Sequence, residues 1–261
     1  MSKTAIVFTC SHADPKVSNE RFDWLGSLIY DVRPDYVVDL GDGADMASLS
    51  SFDNNNPKAI TANSYEQDIN SYLDAQERLR ARVKKAKVKR PKYIGFEGNH
   101  EHRIKLAVSK DPRLEGSSVG ISFDHLQTNV WFDEYHEYDC GQPALTTIDG
   151  TLYGHYITSG AYGKAMVSKH HGHALVEKTA CSTTVGHSHA FSYYYKGDAR
   201  PRPLHGLVAG CFKGAKSTWA GQSNDEWRYG VVIKRYIEEG DYDMTWVSLK
   251  QLEREYGPGR N

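Results

Sequence analysis

Residues 35–45 read DYVVDLGDGAD, from Asp35 to Asp45. Tyr36-Val37-Val38 is a short apolar, β-branched run, and two glycines with three aspartates break it at once. A strand ending in a Gly–Asp loop is the simplest reading. Glycine lets the backbone turn sharply, so that a carboxylate can face a ligand. Upstream, Ala5-Ile6-Val7-Phe8 is a second apolar run, and it leaves into Cys10-Ser11-His12. Between the two runs, Phe22, Leu25, Leu28, Ile29 and Val32 recur at helical spacing. Downstream, residues 64–89 have the pattern of a long helix stopped by Pro91. KYIGFEGNH, residues 92–100, is then a third strand breaking into a Gly-containing loop. Strand, helix, strand, helix, strand is the order of a parallel βαβ layer. Ligands gather beyond the carboxyl ends of such strands.

The second half holds more strands: residues 146–158, 182–196, 204–212, 228–237 and 242–249, with a helix expected over Tyr162–Ala180. No repeat, Gly/Ser linker or composition break divides the 261 residues. One domain over 1–261 is therefore expected, with a helical insert at about residues 50–90. Apolar content of 39% and charged content of 25% are those of a globular chain. The net charge of -1 gives no global field to recruit nucleic acid or an anionic membrane. The N-terminal apolar stretch is too short for a signal-peptide core, and no run reaches membrane-spanning length. A cytoplasmic protein of a bacterial cell or phage-infected host, with no membrane partner, is the expectation. Cys10, Cys140, Cys181 and Cys211 lie far apart with no CxxC pair. They read as free thiols, mostly buried, with Cys10 set apart by its strand-end position.

The strand ends are rich in Asp, Asn and His. Beyond Cys10, His12, Asp42 and Asp45 come GNHEHR (Asn99, His100, Arg103), YGHY (His155) and VGHSH (His187, His189). Two histidines one residue apart on a strand share a face, and can chelate one metal or serve two adjacent ones. Asn ligates hard cations through its oxygen, and a neighbouring His can carry a proton. The bland reading of each motif alone is a Gly–Asp turn or a hydrogen-bonded histidine. His170, His171 and His173 compete with His155, although a solvated helix face accounts for them more simply.

The order (C)xH, GDxxD, GNHE, H, GHxH is more specific than any one motif. Over roughly residues 4–195 it resembles the calcineurin-like metallophosphoesterase superfamily. The resemblance implies a four-layer αββα sandwich of two mixed β-sheets flanked by helices. It implies His12 and His189 on a first metal, Asp42 bridging, and Asn99, His155 and His187 on a second. His100 would be the catalytic histidine, Asp45 would orient it, and Arg103 is a candidate phosphate contact. Two divalent or mixed-valence cations about 4 Å apart would clamp the attacking and leaving oxygens, and a bridging hydroxide would attack phosphorus.

Cys10 stands where the family has an aspartate. A thiolate ligand would keep the charge and favour Mn, Zn or Fe over Mg. The alternatives are a packing thiol beside a weakened first site, and a Cys10–His12 nucleophilic dyad. Asp14 could substitute from the next loop, or be a plain loop residue. The Asp-Arg-Gly continuation of protein phosphatases is absent. The expected substrate is a phosphodiester, nucleic acid or nucleotides included. A phosphomonoesterase of small phosphates is the enzymatic alternative, and a catalytically degenerate metal-binding interaction protein the other. The run Lys84, Lys85, Lys87, Lys89, Arg90 reads either as a solvated helix end or as a phosphate-backbone contact. No interleaved aromatics in the sequence offer a stacking platform beside it.

Overall fold

The computed structural model describes residues 2–50, 64–197, 199 and 201–259. In chain order it contains β1 (Lys3–Phe8), α1 (Glu20–Val32), β2 (Tyr36–Asp39), α2 (Tyr65–Ala86), β3 (Lys92–Phe96), α3 (Asn99–Lys110), α4 (Thr128–Trp131), β4 (Glu134–His136), β5 (Leu145–Ile148) and β6 (Thr151–Gly154). There follow β7 (Thr158–Ser159), β8 (Lys164–Ala165), α5 (His171–Thr179), β9 (Ser182–Val185), β10 (Phe191–Lys196), β11 (Leu204–Ala209), β12 (Gly230–Glu238), β13 (Asp241–Ser248) and α6 (Leu249–Tyr256).

The first sheet has the order β13-β12-β1-β2-β3-β4, and the second β10-β11-β9-β6-β5. Strands β1 to β4 run parallel, as the βαβαβ reading requires, while β12 and β13 add antiparallel strands at one edge. In the second sheet β6, β9 and β11 are parallel and both edges antiparallel.

Alternation along the strands sorts the core into layers. Ala5, Val7, Val38, Ile94 and Phe96 face inward and meet Tyr153, Leu207 and Ala209 of the second sheet. Ile6, Phe8, Val37 and Tyr93 face outward, under Phe22, Leu25, Ile69, Leu79, Ile104 and Leu252 of the helices. Leu175 of α5 covers Val185 and Val208 on the outer face of the second sheet. The result is the αββα sandwich of two mixed sheets.

Two expectations change. The helix expected over Tyr162–Ala180 is confined to His171–Thr179. Gly160 and Gly163, at φ 72° and 59°, turn the chain back so that β7 and β8 pair as a hairpin. Helix α2 stops before Pro91, because Lys87 takes a left-handed cap at φ 52°. Its start is sealed by a capping box between Ser64 and Gln67. The insert expected at about 50–90 is this helix in its second half; residues 51–63 lie outside the described residues. Among the described residues, no helix is long and apolar enough to cross a membrane.

Candidate metal centre

The parallel registers place Phe8, Asp39 and Gly95 side by side, so the loops after β1, β2 and β3 emerge together. The second sheet does the same: Gly154 pairs with Val185, and His155 and Gly186 follow them. Backbone bonds lace the loops, from Cys10 N to Gly41 O and His12 N to Asp42 O (both 2.9 Å) and from Gly186 N to His155 O (3.0 Å). Buried Arg21 ties the first loop to the one after β11. It donates from Nη2 to Ser11 O (2.8 Å) and from Nε to Phe212 O (3.0 Å). Gly98 is required at its position, since an added Cβ would collide with Asp42.

Cys10, His12, Asp42, His187 and His189 all hold positive φ, from 43° to 66°. Such backbone costs roughly 1–3 kcal/mol per non-glycine residue, and is kept where side chains must be aimed. What they are aimed at is each other. His155 donates from Nδ1 to Leu40 O (2.7 Å). Its bare Nε2 therefore faces Asp42 Oδ2 (3.2 Å), Asn99 Oδ1 (3.1 Å) and His187 Nδ1 (3.2 Å). Asn99 Oδ1 lies 2.8 Å from His187 Nδ1. In the other half, His12 meets the Asp45 carboxylate through Nδ1 (2.9 Å), which leaves Nε2 facing His189 Nε2 (3.1 Å). Asp42 Oδ2 is 4.0 Å from His12 Nε2 and so lies between the two halves. The Cys10 thiol completes three-residue donor groups on both sides, with His12 and His189 and with Asp42 and His155.

Lone pairs converging this closely repel unless a cation or shared proton lies among them. The donors fit cations with a taste for nitrogen, oxygen and sulfur. Burial, with the nearby Lys213 ammonium, pushes His12 well below its ordinary range. Burial likewise takes His187 to about 4 and His189 to about 2. Neutral imidazole is the ligating form. Burial pushes the Asp42 carboxyl up, but His155 and His100 outweigh it and hold the group well below the carboxylate range. The same carboxylate, working against burial, raises His155.

Of the sequence candidates, Cys10, His12, Asp42, Asn99, His155, His187 and His189 come together, and His170, His171 and His173 join none of the donor groups. His187 and His189 are not on a strand: β9 ends at Val185, and left-handed turns send the two rings to different halves. Asp45 differs too. Its carboxylate contacts His12, while His100 Nδ1 donates to the Asp45 carbonyl. The reason is the bridge between Ala13 and Ala44, which draws Asp45 against the first loop. Arg103 donates from Nη1 to the carbonyls of Asp45 (3.1 Å) and Met46 (3.2 Å), and its Nη2 meets His100 Nε2 at 3.1 Å. Cys10 is fully buried, and its thiol is pushed up by burial and then by Asp42. Of the other thiols, Cys211 is buried as expected, whereas Cys181 is only partly so and Cys140 is exposed at the turn before β5. The run Lys84–Arg90 precedes β3, whereas the donors follow its far end, so it does not line the centre.

Two contributors, Trp227 and Lys213, stand outside the sequence motifs, and Glu101 of the GNHEHR stretch takes a role that its motif does not announce. Glu101 is buried and accepts from the backbone of Asp42 (3.0 Å), Ala44 (2.8 Å) and Gly98 (2.9 Å), fastening the GDG loop to α3. Trp227 packs edge-on against His189 at 4.3 Å, and the Lys213 ammonium lies 6.0 Å from the Trp227 ring. The strand-to-glycine break LVAGCFK, residues 207–213, repeats the pattern of the other loops and is the signal that pointed there.

No family model matches this chain, and no curated protein matches it. Solved structures give loose superpositions. A conserved uncharacterized protein from Streptococcus pneumoniae, described as a predicted phosphoesterase, is 10% identical with a TM-score of 0.37, over 96% of this chain and 91% of its own. YfcE, a phosphoesterase from E. coli, is 12% identical at 0.38, over 94% and 99%. A third structure, from Thermus thermophilus, is 8% identical at 0.36, over 95% and 100%.

Proposed function

We propose that this protein is a metal-dependent phosphoester hydrolase of calcineurin-like type, with two cations and a phosphodiester substrate. The observation that carries the reading is the donor set. Strand ends of both sheets deliver two clusters of potential metal donors that share the Asp42 carboxylate. Cys10, His12 and His189 would hold one cation, Asn99, His155 and His187 the other, with Asp42 between them. Bound there, the cations supply positive charge for phosphoryl oxygens and acidify an attacking water.

The chain's own groups do the rest. His100 is fixed through Nδ1 on the Asp45 carbonyl, so Nε2 is the atom that exchanges a proton with the leaving oxygen. Burial, helped by His12 and Arg103, outweighs the opposing Asp42 and Asp45 carboxylates and brings His100 down to about 3. It is therefore neutral before substrate binds, and a phosphate anion beside it favours the protonated form. Arg103 Nη2 donates to the same Nε2 while the ring is neutral, a contact that must give way when Nε2 takes the proton. An arginine whose donors are engaged by its own loop has fewer free N–H groups for phosphate oxygens, which suits a diester better than a dianionic monoester.

The test is hydrolysis of bis-para-nitrophenyl phosphate against the mono ester, with Mn²⁺, Zn²⁺ or Mg²⁺. The diester should turn over faster, and His100→Ala should lower the rate about 10²–10⁴-fold. Faster monoester turnover would reassign the substrate. Inactivity on both esters with cations bound would make this a metal-binding interaction protein.

A further inference from the structure

The basic end of α2 has no part in the metal centre, yet it borders a cleft of about 650 Å³ at the opposite end of the first sheet. Volumes of roughly 300–1,000 Å³ hold small ligands. Val83, Tyr93 and Trp131 supply apolar and aromatic lining, and Lys84, Lys85 and Lys87 stand at the edge. Among the described residues, no carboxylate forms an ion pair with those three lysines. Arg80 is already committed. It donates from Nε (3.1 Å) and Nη2 (2.6 Å) to Trp131 O and from Nη1 to Gln76 Oε1 (2.7 Å). Its guanidinium lies 4.3 Å from the Tyr93 ring centroid, a rigid planar wall.

Two polar atoms in this lining are unexplained. Tyr93 is only 2% exposed, and its hydroxyl has no hydrogen-bond partner. The Trp131 indole N–H is also buried without one. Buried polar groups nearly always find partners, and these two unpartnered atoms belong to the lining of one cleft, where a ligand atom can supply the partner. It must accept from the indole N–H, and it can exchange a hydrogen bond with the phenol. Flat rings and a guanidinium suit a planar base, and unpaired lysines suit phosphate.

We infer that this cleft binds a nucleoside phosphate, with its base against the Arg80 guanidinium and Trp131, its edge toward the Tyr93 hydroxyl, and its phosphate on Lys84 and Lys87. That unit could be a free nucleotide or one residue of a single strand. The inference is independent of the hydrolytic reading, because its test reads binding alone.

Calorimetric titration of the full chain with adenosine 5′-monophosphate should show binding that weakens with salt. The double variant Lys84→Glu/Lys87→Glu should weaken it about tenfold or more. Tyr93→Phe, which removes one atom without threatening the fold, should weaken it severalfold. His100→Ala should leave the affinity unchanged. A 5′-phosphorylated octadeoxyadenylate binding more tightly than the mononucleotide identifies a strand as the source; the reverse identifies a free nucleotide. Adenosine and inorganic phosphate should each bind more weakly than the nucleotide. The inference is overturned by no binding of nucleotide or oligonucleotide, by affinity untouched in the lysine variant, or by affinity lost in His100→Ala.

Discussion

Cys10 carries the most chemistry per atom. Its Sγ accepts the His187 backbone N–H at 3.2 Å and lies 3.2 Å from Thr9 Oγ1, with no water-exposed surface. In that setting the isolated thiol stays protonated, because burial and Asp42 both oppose the thiolate. A neighbouring cation reverses this balance outright. The backbone at Cys10 is left-handed, at φ 48°, and its thiol lies within reach of two donor groups. Metal analysis of the purified protein should therefore give two cations per chain in the wild type and one in Cys10→Ser. Cys10→Asp should restore two, with a preference moved toward harder ions. Two cations retained in Cys10→Ser would return the thiol to packing.

Helix α3 begins at Asn99, so its placement decides where Asn99 and His100 point. Glu97 clamps that helix to the end of β3. It accepts from His102 Nδ1 (2.8 Å), Lys105 Nζ (2.7 Å) and Tyr138 N (2.7 Å), with its side chain wholly buried. Burial pushes the Glu97 carboxyl up, but these donors outweigh it and hold the group below its ordinary value of 4.5. A carboxyl depressed in the folded state contributes stability above its unfolded value. That contribution is lost as pH falls through the folded value. Glu97→Gln should therefore cost about 1–3 kcal/mol at pH 7 in urea unfolding with chelator present. The difference from wild type should shrink below about pH 4. An equal difference at both pH values would mean that Glu97 acts by shape and not by charge.

At the scale of the molecule, the centre is a seam. Cys10, His12, Asp42 and Asn99 leave the first sheet, while His155, His187 and His189 leave the second. Cations held across it would bind the folded chain and not the unfolded one. Each then adds about 2.7 kcal/mol at a hundredfold excess over its dissociation constant. For a chain of this size, 1 kcal/mol moves the melting temperature by about 2–4 °C. Chelation should therefore lower the calorimetric Tm by about 10–20 °C, and the drop should roughly halve in His155→Ala/His187→Ala, which keeps the donors of the other cation. A Tm indifferent to chelator in the wild type would remove the cations from the folded state.

The order of strands and helices around DYVVDLGDGAD is written locally in the chain, because apolar period and glycine breaks are local signals. So is the set of residue types that could ligate. Other features needed the sheets to pair. Asp45 holds His12 by its carboxylate and His100 by its carbonyl only because the first two loops cross at Ala13 and Ala44. His187 and His189 part company only because β9 ends before them. The aromatic wall beside Lys84 comes from Tyr93 and from Trp131, more than forty residues downstream, so no local pattern announces it. Contacts of this kind depend on parallel register and loop crossing, which are set by burial across the whole sandwich and leave no periodic trace in the sequence.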